Sequence, residues 1–286
     1  MAAHGVEGLR VSFAPGKAWA ALDAWLGRKL TANPRGFSND VAGAFEILRA
    51  RLASERHIER RGDPVVESLA SRGYADLGLF YDAGLIERIR QGLHAALAQP
   101  DLARDRRSPY ARQLVNPVGA VPESVELLDA RLRELVERYY GGPFRVYRFE
   151  LRSNFSAPRE VTEAQEIYQN YWHVDDRPTS VLKLFVNLSH VSEADGPFEL
   201  VERAETRRRV RAGIASQRSP ALDPPPAPGS LVSLVGRPGH AMLATTARCL
   251  HHARLVESGG RRDVAAFSFR PARRPLPEDW ARRLDR

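Results

Sequence analysis

A histidine and an aspartate stand two residues apart in the stretch YWHVDDRPTS, as His173 and Asp175. On an extended segment, residues i and i+2 project from one face, so the imidazole and the carboxylate can converge on one ion. A surface ion pair at a strand end has the same pattern, so metal chemistry requires a third ligand. The stretch CLHHARLVESGGRRDVAAFSF supplies two candidates, His251 and His252. Two histidines and one carboxylate on one face of a metal make the facial triad of non-haem iron(II) centres, which leaves positions open for a co-substrate and O2. The co-substrate of such centres is a dicarboxylate whose far end needs a permanently charged, bidentate partner, and arginine's planar fork supplies that better than lysine. Arg261 and Arg262 follow the histidine pair. The inward neighbour two residues on is Val264 for Arg262 but Asp263 for Arg261, and a carboxylate there would repel the ligand, so Arg262 is the expected anchor.

These residues need a scaffold, and the pattern changes along the chain from helical to extended. Ala18 to Leu30 and Val41 to Arg60 carry apolar residues at three- and four-residue spacing; Val41, Ala44, Phe45, Leu48 and Leu52 predict a buried helical face. Pro64 opens a short helix over 65–71, an extended piece spans Tyr74 to Leu79, and Asp82 is the expected N-cap of a helix reaching Leu97. Asp101 to Pro122 is charged and proline-rich without a period and reads as a loop, and Glu123 to Tyr140 returns to helical spacing. Beyond the Gly141-Gly142-Pro143 break, strands are predicted at 144–151, 181–188, 198–201, 231–235, 241–244 and 264–269. In the second of these, Lys183, Phe185 and Asn187 share a face by alternation.

Composition narrows the field. The formal charge of +8 comes from a basic set with only three lysines, Lys17, Lys29 and Lys183, spread along all 286 residues. The densest runs, Arg104 to Arg107 and Arg207 to Arg209, lack interleaved aromatics and read as solvated faces, so the charge argues against nucleic acid while leaving it open. A single cysteine, Cys249, rules out an internal disulfide framework and fits a reducing compartment, with the cytoplasm as the expected location. No apolar run is long enough for a membrane span. Dinucleotide-binding, phosphate-loop, nucleophile-elbow and paired-cysteine zinc patterns are absent from the sequence.

The order YWHVDD, VLKLFVNLSHVSEADGPFEL, then TTARCLHHA with a basic pair resembles the phytanoyl-CoA dioxygenase family of Fe(II)/2-oxoglutarate-dependent oxygenases, across Ser68 to Phe269. The opening VVESLASRGYADLGLFYDAGLIERIR is similar to that family's helix, strand and helix. The resemblance implies a mainly β, α+β chain: a double-stranded β-helix, jelly-roll or cupin-like, flanked by helices, with residues 63–286 forming the oxygenase domain and 1–62 a helical extension. It implies that His173, Asp175 and His251 ligate Fe(II) and that Arg262 holds 2-oxoglutarate, with Phe185 against the co-substrate and Lys183 and Asn187 on its face. Tyr147, Arg152, Gln169 and Tyr171 are further candidates. The implied reaction is O2-dependent hydroxylation of a small organic substrate, with succinate and CO2 released; Asp175 sets the chain apart from the halogenases, which replace that carboxylate. Asp101 to Pro122 and Ser156 to Gln169 are expected at the substrate entrance. GPFELVERAETRRR departs from the family, which has a Gly-Ser-His turn there. The alternatives are a catalytically inactive cupin-like binding protein and an oxygenase acting on nucleic acid.

Overall fold

The computed structural model describes residues 34–54, 62–99, 109–213, 218–257 and 259–284. The helix expected over 18–30 and the arginine run 104–107 lie outside them. Helices α1 (Pro34–Leu52), α2 (Pro64–Ser71), α3 (Ala83–Leu97) and α4 (Ala130–Tyr140) alternate with strands β1 (Tyr74–Leu79) and β2 (Ala111–Val115) in the first half. Then follow β3 (Phe144–Phe155), α5 (Arg159–Ala164), β4 (Leu182–Asn187), β5 (Phe198–Val201), α6 (Arg203–Arg211), β6 (Leu231–Ser233), β7 (His240–Ala244), β8 (His251–Ala253) and β9 (Arg261–Pro271). The strands form a six-stranded sheet in the order β1-β7-β4-β9-β3-β2 and a three-stranded sheet in the order β6-β5-β8, antiparallel at every pairing. Two facing sheets with helices against the larger one are a double-stranded β-helix, as expected.

Alternation divides the large sheet into two chemistries. Leu182, Leu184 and Val186 of β4, Phe149 and Leu151 of β3, and Phe267 and Phe269 of β9 join one core with Ile86, Ile89 and Leu93 of α3. Phe149 and Phe267 are cross-strand partners whose rings stack at 3.8 Å. Burying a side chain of this kind contributes roughly 1.5–3 kcal/mol, so this face anchors the sheet. The intervening residues look toward the small sheet, where Phe185 stacks on Phe198 at 4.1 Å. Asp82 caps α3 by accepting from Gly84 and Leu85 N–H, and Asp129 caps α4 through Leu132 N–H.

Three expectations need correction. Within the predicted 101–122 loop, Ala111–Val115 is an edge strand, paired only with β3. Its polar Arg112 and Gln113 hid it, because an edge strand buries too little for clean alternation. The face of α1 is rotated: Val41, Phe45, Leu48 and Leu52 are 50%, 57%, 52% and 77% exposed, while Gly43 and Ala50 are buried. The helix docks through its small residues, since a Cβ on Gly43 would lie 2.6 Å from Thr179 Oγ1 and 2.7 Å from Ser180 N. Finally, Arg209 is fully buried, giving Nε to Glu205 Oε1 at 2.9 Å and Nη2 to the Pro224 carbonyl at 2.6 Å. Only Arg207 and Arg208 of that run face solvent. Among the described residues no helix is long and apolar enough to cross a membrane.

Candidate functional site

His173 and His251 face each other in an antiparallel bridge, with His173 N–H donating to the His251 carbonyl at 3.1 Å and the reverse bond at 2.9 Å. Residues directly opposite in such a bridge project from one face, and their neighbours from the other. The two imidazoles accordingly meet with ring centroids 4.3 Å apart, while Trp172 and His252 stack on the opposite side at 3.7 Å. This register separates the two histidine candidates. His252 has both nitrogens engaged, Nδ1 with the Asn170 carbonyl at 2.9 Å and Nε2 with Glu199 Oε2 at 2.8 Å. His251 has one nitrogen engaged, Nδ1 with the Cys249 carbonyl at 3.0 Å, and His173 does the same with the Tyr171 carbonyl at 2.7 Å. A carbonyl only accepts, so each Nδ1 carries the proton and each Nε2 presents a lone pair. Both Nε2 atoms are buried and have no partner among the described residues.

Asp175 completes the cluster. Its Oδ1 lies 3.7 Å from His173 Nε2 and 3.7 Å from His251 Nε2, and the three ligand atoms fall within 4.8 Å of one another. Its Oδ2 is held by Lys183 Nζ at 2.5 Å and by the Thr246 hydroxyl at 2.6 Å. The carboxylate is thereby divided, one oxygen fixed by the protein and the other turned to the histidines. Burial works to raise the Asp175 carboxyl, yet the Lys183 ammonium beside it holds it well below the usual carboxylate range. Burial pulls His251 down to about 3 and lowers His173 as well, so both rings are neutral at physiological pH. Neutral imidazole lone pairs and an ionised carboxylate oxygen are the donor set of a divalent transition metal, and buried nitrogens without partners fit such an ion.

The two arginines part company at the start of β9. Arg261 gives Nε to Asp263 Oδ1 at 2.8 Å and Nη2 to Ser153 Oγ at 3.0 Å, on the side where Asp263 Oδ2 meets His94 Nε2 at 2.7 Å. Arg262 is 4% exposed, and its Nε and Nη1 have no partner among the described residues. Desolvation brings its guanidinium down to about 10, still charged at neutral pH. Directly across the strand pair stands Asn154, fully buried, with neither side-chain oxygen nor nitrogen partnered among the described residues. A buried cation and a buried amide, both open, form a cradle for a carboxylate. Asn154 is not among the site residues expected from the sequence. Its signal was the alternation of β3, which with Phe149 and Leu151 in the core puts Arg152 and Asn154 on the other face.

The other predicted positions divide. Phe185 stacks on Phe198, itself 5.7 Å from the His251 ring, so it walls the cluster. Asn187 gives Nδ2 to the Leu234 carbonyl at 3.4 Å, between the sheets. Lys183 turns inward to Asp175, away from solvent. Arg152 pairs with Glu150 at 3.2 Å, and Tyr147 is half-exposed under the Arg270 guanidinium. Gln169 and Tyr171 enter through their carbonyls, which accept from Ala253 N–H and His173 Nδ1. Trp172 is buried with Val201 and Leu250. Cys249 is buried and burial pushes its thiol up to about 11, which leaves it protonated and unreactive at neutral pH.

No family model matches the chain, and no curated protein matches it in sequence. Solved structures do match. The fold is that of 2-oxoglutarate-dependent oxygenases. HygX from Streptomyces hygroscopicus, crystallised with nickel, 2-oxoglutarate and hygromycin B, is 20% identical with a TM-score of 0.53, covering 73% of this chain and 87% of its own. EctD from S. alaskensis with bound Fe is 16% identical with a TM-score of 0.55, covering 76% and 82%. The epimerase SnoN, in complex with Fe3+, alpha ketoglutarate and nogalamycin RO, is 17% identical with a TM-score of 0.53, covering 73% and 82%.

Proposed function

We propose that this chain is a non-haem Fe(II)/2-oxoglutarate-dependent oxygenase of the phytanoyl-CoA dioxygenase type that hydroxylates a small organic molecule. The observation that carries the reading is the pair of buried histidine nitrogens beside a half-committed carboxylate, on the same scaffold as a buried arginine: His173 Nε2, His251 Nε2 and Arg262 Nε and Nη1 have no hydrogen-bond partner among the described residues. Iron(II) with 2-oxoglutarate, when bound, supplies O2-dependent oxidation of a substrate C–H bond, with succinate and CO2 as co-products.

The chain's own contribution is to bind, orient and exclude water. His173 and His251 offer Nε2 because the Tyr171 and Cys249 carbonyls fix the proton on Nδ1. Asp175 offers Oδ1 because Lys183 and Thr246 occupy Oδ2. Arg262, with Asn154 opposite, receives the distal carboxylate of 2-oxoglutarate, and the stacked Phe185 and Phe198 keep water from the His251 side. A small-molecule substrate is supported by the similar structures, which hold hygromycin B, nogalamycin RO and 5-hydroxyectoine.

The test is succinate formation from 2-oxoglutarate by the purified chain with Fe(II) and O2. His173→Ala, His251→Ala and Arg262→Gln are expected to abolish it, while Arg261→Gln retains it. Loss in none of the first three would overturn the reading and leave a binding protein on an oxygenase scaffold.

A further inference from the structure

A second opening lies apart from the cluster described above, sharing none of its residues. It is a cavity of about 340 Å³ between α1, α2, α4, the start of α6 and the β7–β8 loop. One wall is apolar, from Ile47 and Leu48 on one face of α1 and Leu69 of α2. The other is cationic, from Arg51, Arg203 and Arg248.

Among the described residues, the bonds these three guanidinium groups make go to neutral acceptors. Arg51 gives Nε to the Tyr140 carbonyl at 3.0 Å, Arg203 gives Nη1 to the Ala70 carbonyl at 2.5 Å, and Arg248 gives Nη2 to Thr179 Oγ1 at 3.2 Å. The Nε atoms of Arg203 and Arg248 are buried without a partner among the described residues. Of the carboxylates on or beside α1 and α6, Glu46 is engaged by Arg270 and Ser180, Glu202 by Arg72, and Glu205 by Arg208 and Arg209. Burial lowers the Arg203 guanidinium and the neighbouring Arg248 and Arg207 lower it further, against smaller opposing effects of Cys249 and Tyr139. Partly buried like charges without a counter-ion are unfavourable until an anion joins them.

We propose that this cleft binds a small organic anion, a phosphate monoester or carboxylate carrying a short hydrocarbon body, with the anionic head on Arg203 and Arg248 and the body against Ile47, Leu48 and Leu69. The proposal goes beyond the oxygenase reading and does not depend on it.

The experiment is calorimetric titration of the metal-free full chain with hexyl phosphate and with inorganic phosphate. One hexyl phosphate per chain is expected, binding at least tenfold more tightly than inorganic phosphate, and Leu48→Asp should erase that difference. Arg203→Gln and Arg248→Gln should each weaken binding tenfold or more, with Arg248→Lys falling between, in variants whose circular dichroism matches wild type. Arg262→Met and saturating 2-oxoglutarate should leave it unchanged. No saturable binding to the wild type would overturn the proposal. So would binding that Arg262→Met abolishes or 2-oxoglutarate displaces, which would place the anion in the oxygenase site.

Discussion

Replacing Arg262 with methionine should raise stability and weaken co-substrate binding, two effects of opposite sign from one side chain. In the ligand-free chain the guanidinium is 4% exposed, with Nε and Nη1 unpartnered among the described residues. A buried donor left unsatisfied costs about 1–3 kcal/mol, and a desolvated charge adds to that. Methionine fills a similar length with no polar atom, so the metal-free variant should gain about 1–3 kcal/mol. For a chain of this size 1 kcal/mol moves the melting temperature by about 2–4 °C, which predicts a rise on the order of 5 °C. With Fe(II) and 2-oxoglutarate at a hundredfold excess over Kd, the wild type should gain about 2.7 kcal/mol by mass action. The variant loses a charge pair whose truncation costs about 2–5 kcal/mol, weakening Kd roughly thirtyfold to several thousandfold. Ligand added anaerobically should therefore raise the melting temperature of the wild type by more than that of the variant, narrowing or reversing the gap between the two curves. A variant that melts below wild type without ligand, or that shifts with ligand as far as wild type does, would contradict this.

Lys183→Met removes one of the two groups on Asp175 Oδ2, and losses of such supporting contacts typically weaken metal affinity about 10–100-fold, measurable by Co(II) titration. An unchanged affinity would make the lysine irrelevant to the centre. Metal-free stability should also fall with acid. Burial depresses His251 from 6.5 to about 3 and lowers His173, so below about 6.5 the unfolded chain takes up protons that the folded chain refuses. The stability is fully present above that pH and declines below it, approaching about 1.4 kcal/mol per pH unit for His251. Melting between pH 7 and 5 should show a shallower slope in His251→Gln; equal slopes would contradict the assignment. Gly43→Val should lower the melting temperature, because the new Cβ meets Thr179 and Ser180 below 3 Å, and overpacking of this kind costs about 1–3 kcal/mol. Unchanged melting would mean that α1 does not need this close approach.

The elements with strong periodicity were legible in the sequence, and so were their caps. Asp82, Pro64 and the alternation of β4 each act through neighbours along the chain, so spacing alone exposes them. What spacing could not supply was the partner across the fold. The face of α1 is chosen by Thr179 and Ser180, far along the chain, which admit Gly43 and leave the larger apolar residues in solvent. Likewise, His251 and His252 are adjacent and chemically identical. Only the bridge to His173 turns one toward Asp175 and the other to Glu199. Alternation put Lys183 on the face of Phe185 and Asn187 without deciding whether its ammonium turns inward or to solvent, and its contact with Asp175 depends on a loop the pattern does not position. Asn154 was missed because the strand was expected to end at Leu151, so the alternation was not carried on to the residue that stands opposite Arg262.

The central claim is that His173, Asp175 and His251 hold iron(II) beside a 2-oxoglutarate site, and anaerobic addition of both to the purified chain tests it most directly. The account predicts the weak visible charge-transfer absorption of a chelated iron–oxoacid complex in wild type, no such absorption in His173→Ala or His251→Ala, and its retention in His252→Gln. Absence of the band in wild type, or its survival in His251→Ala, would contradict the account.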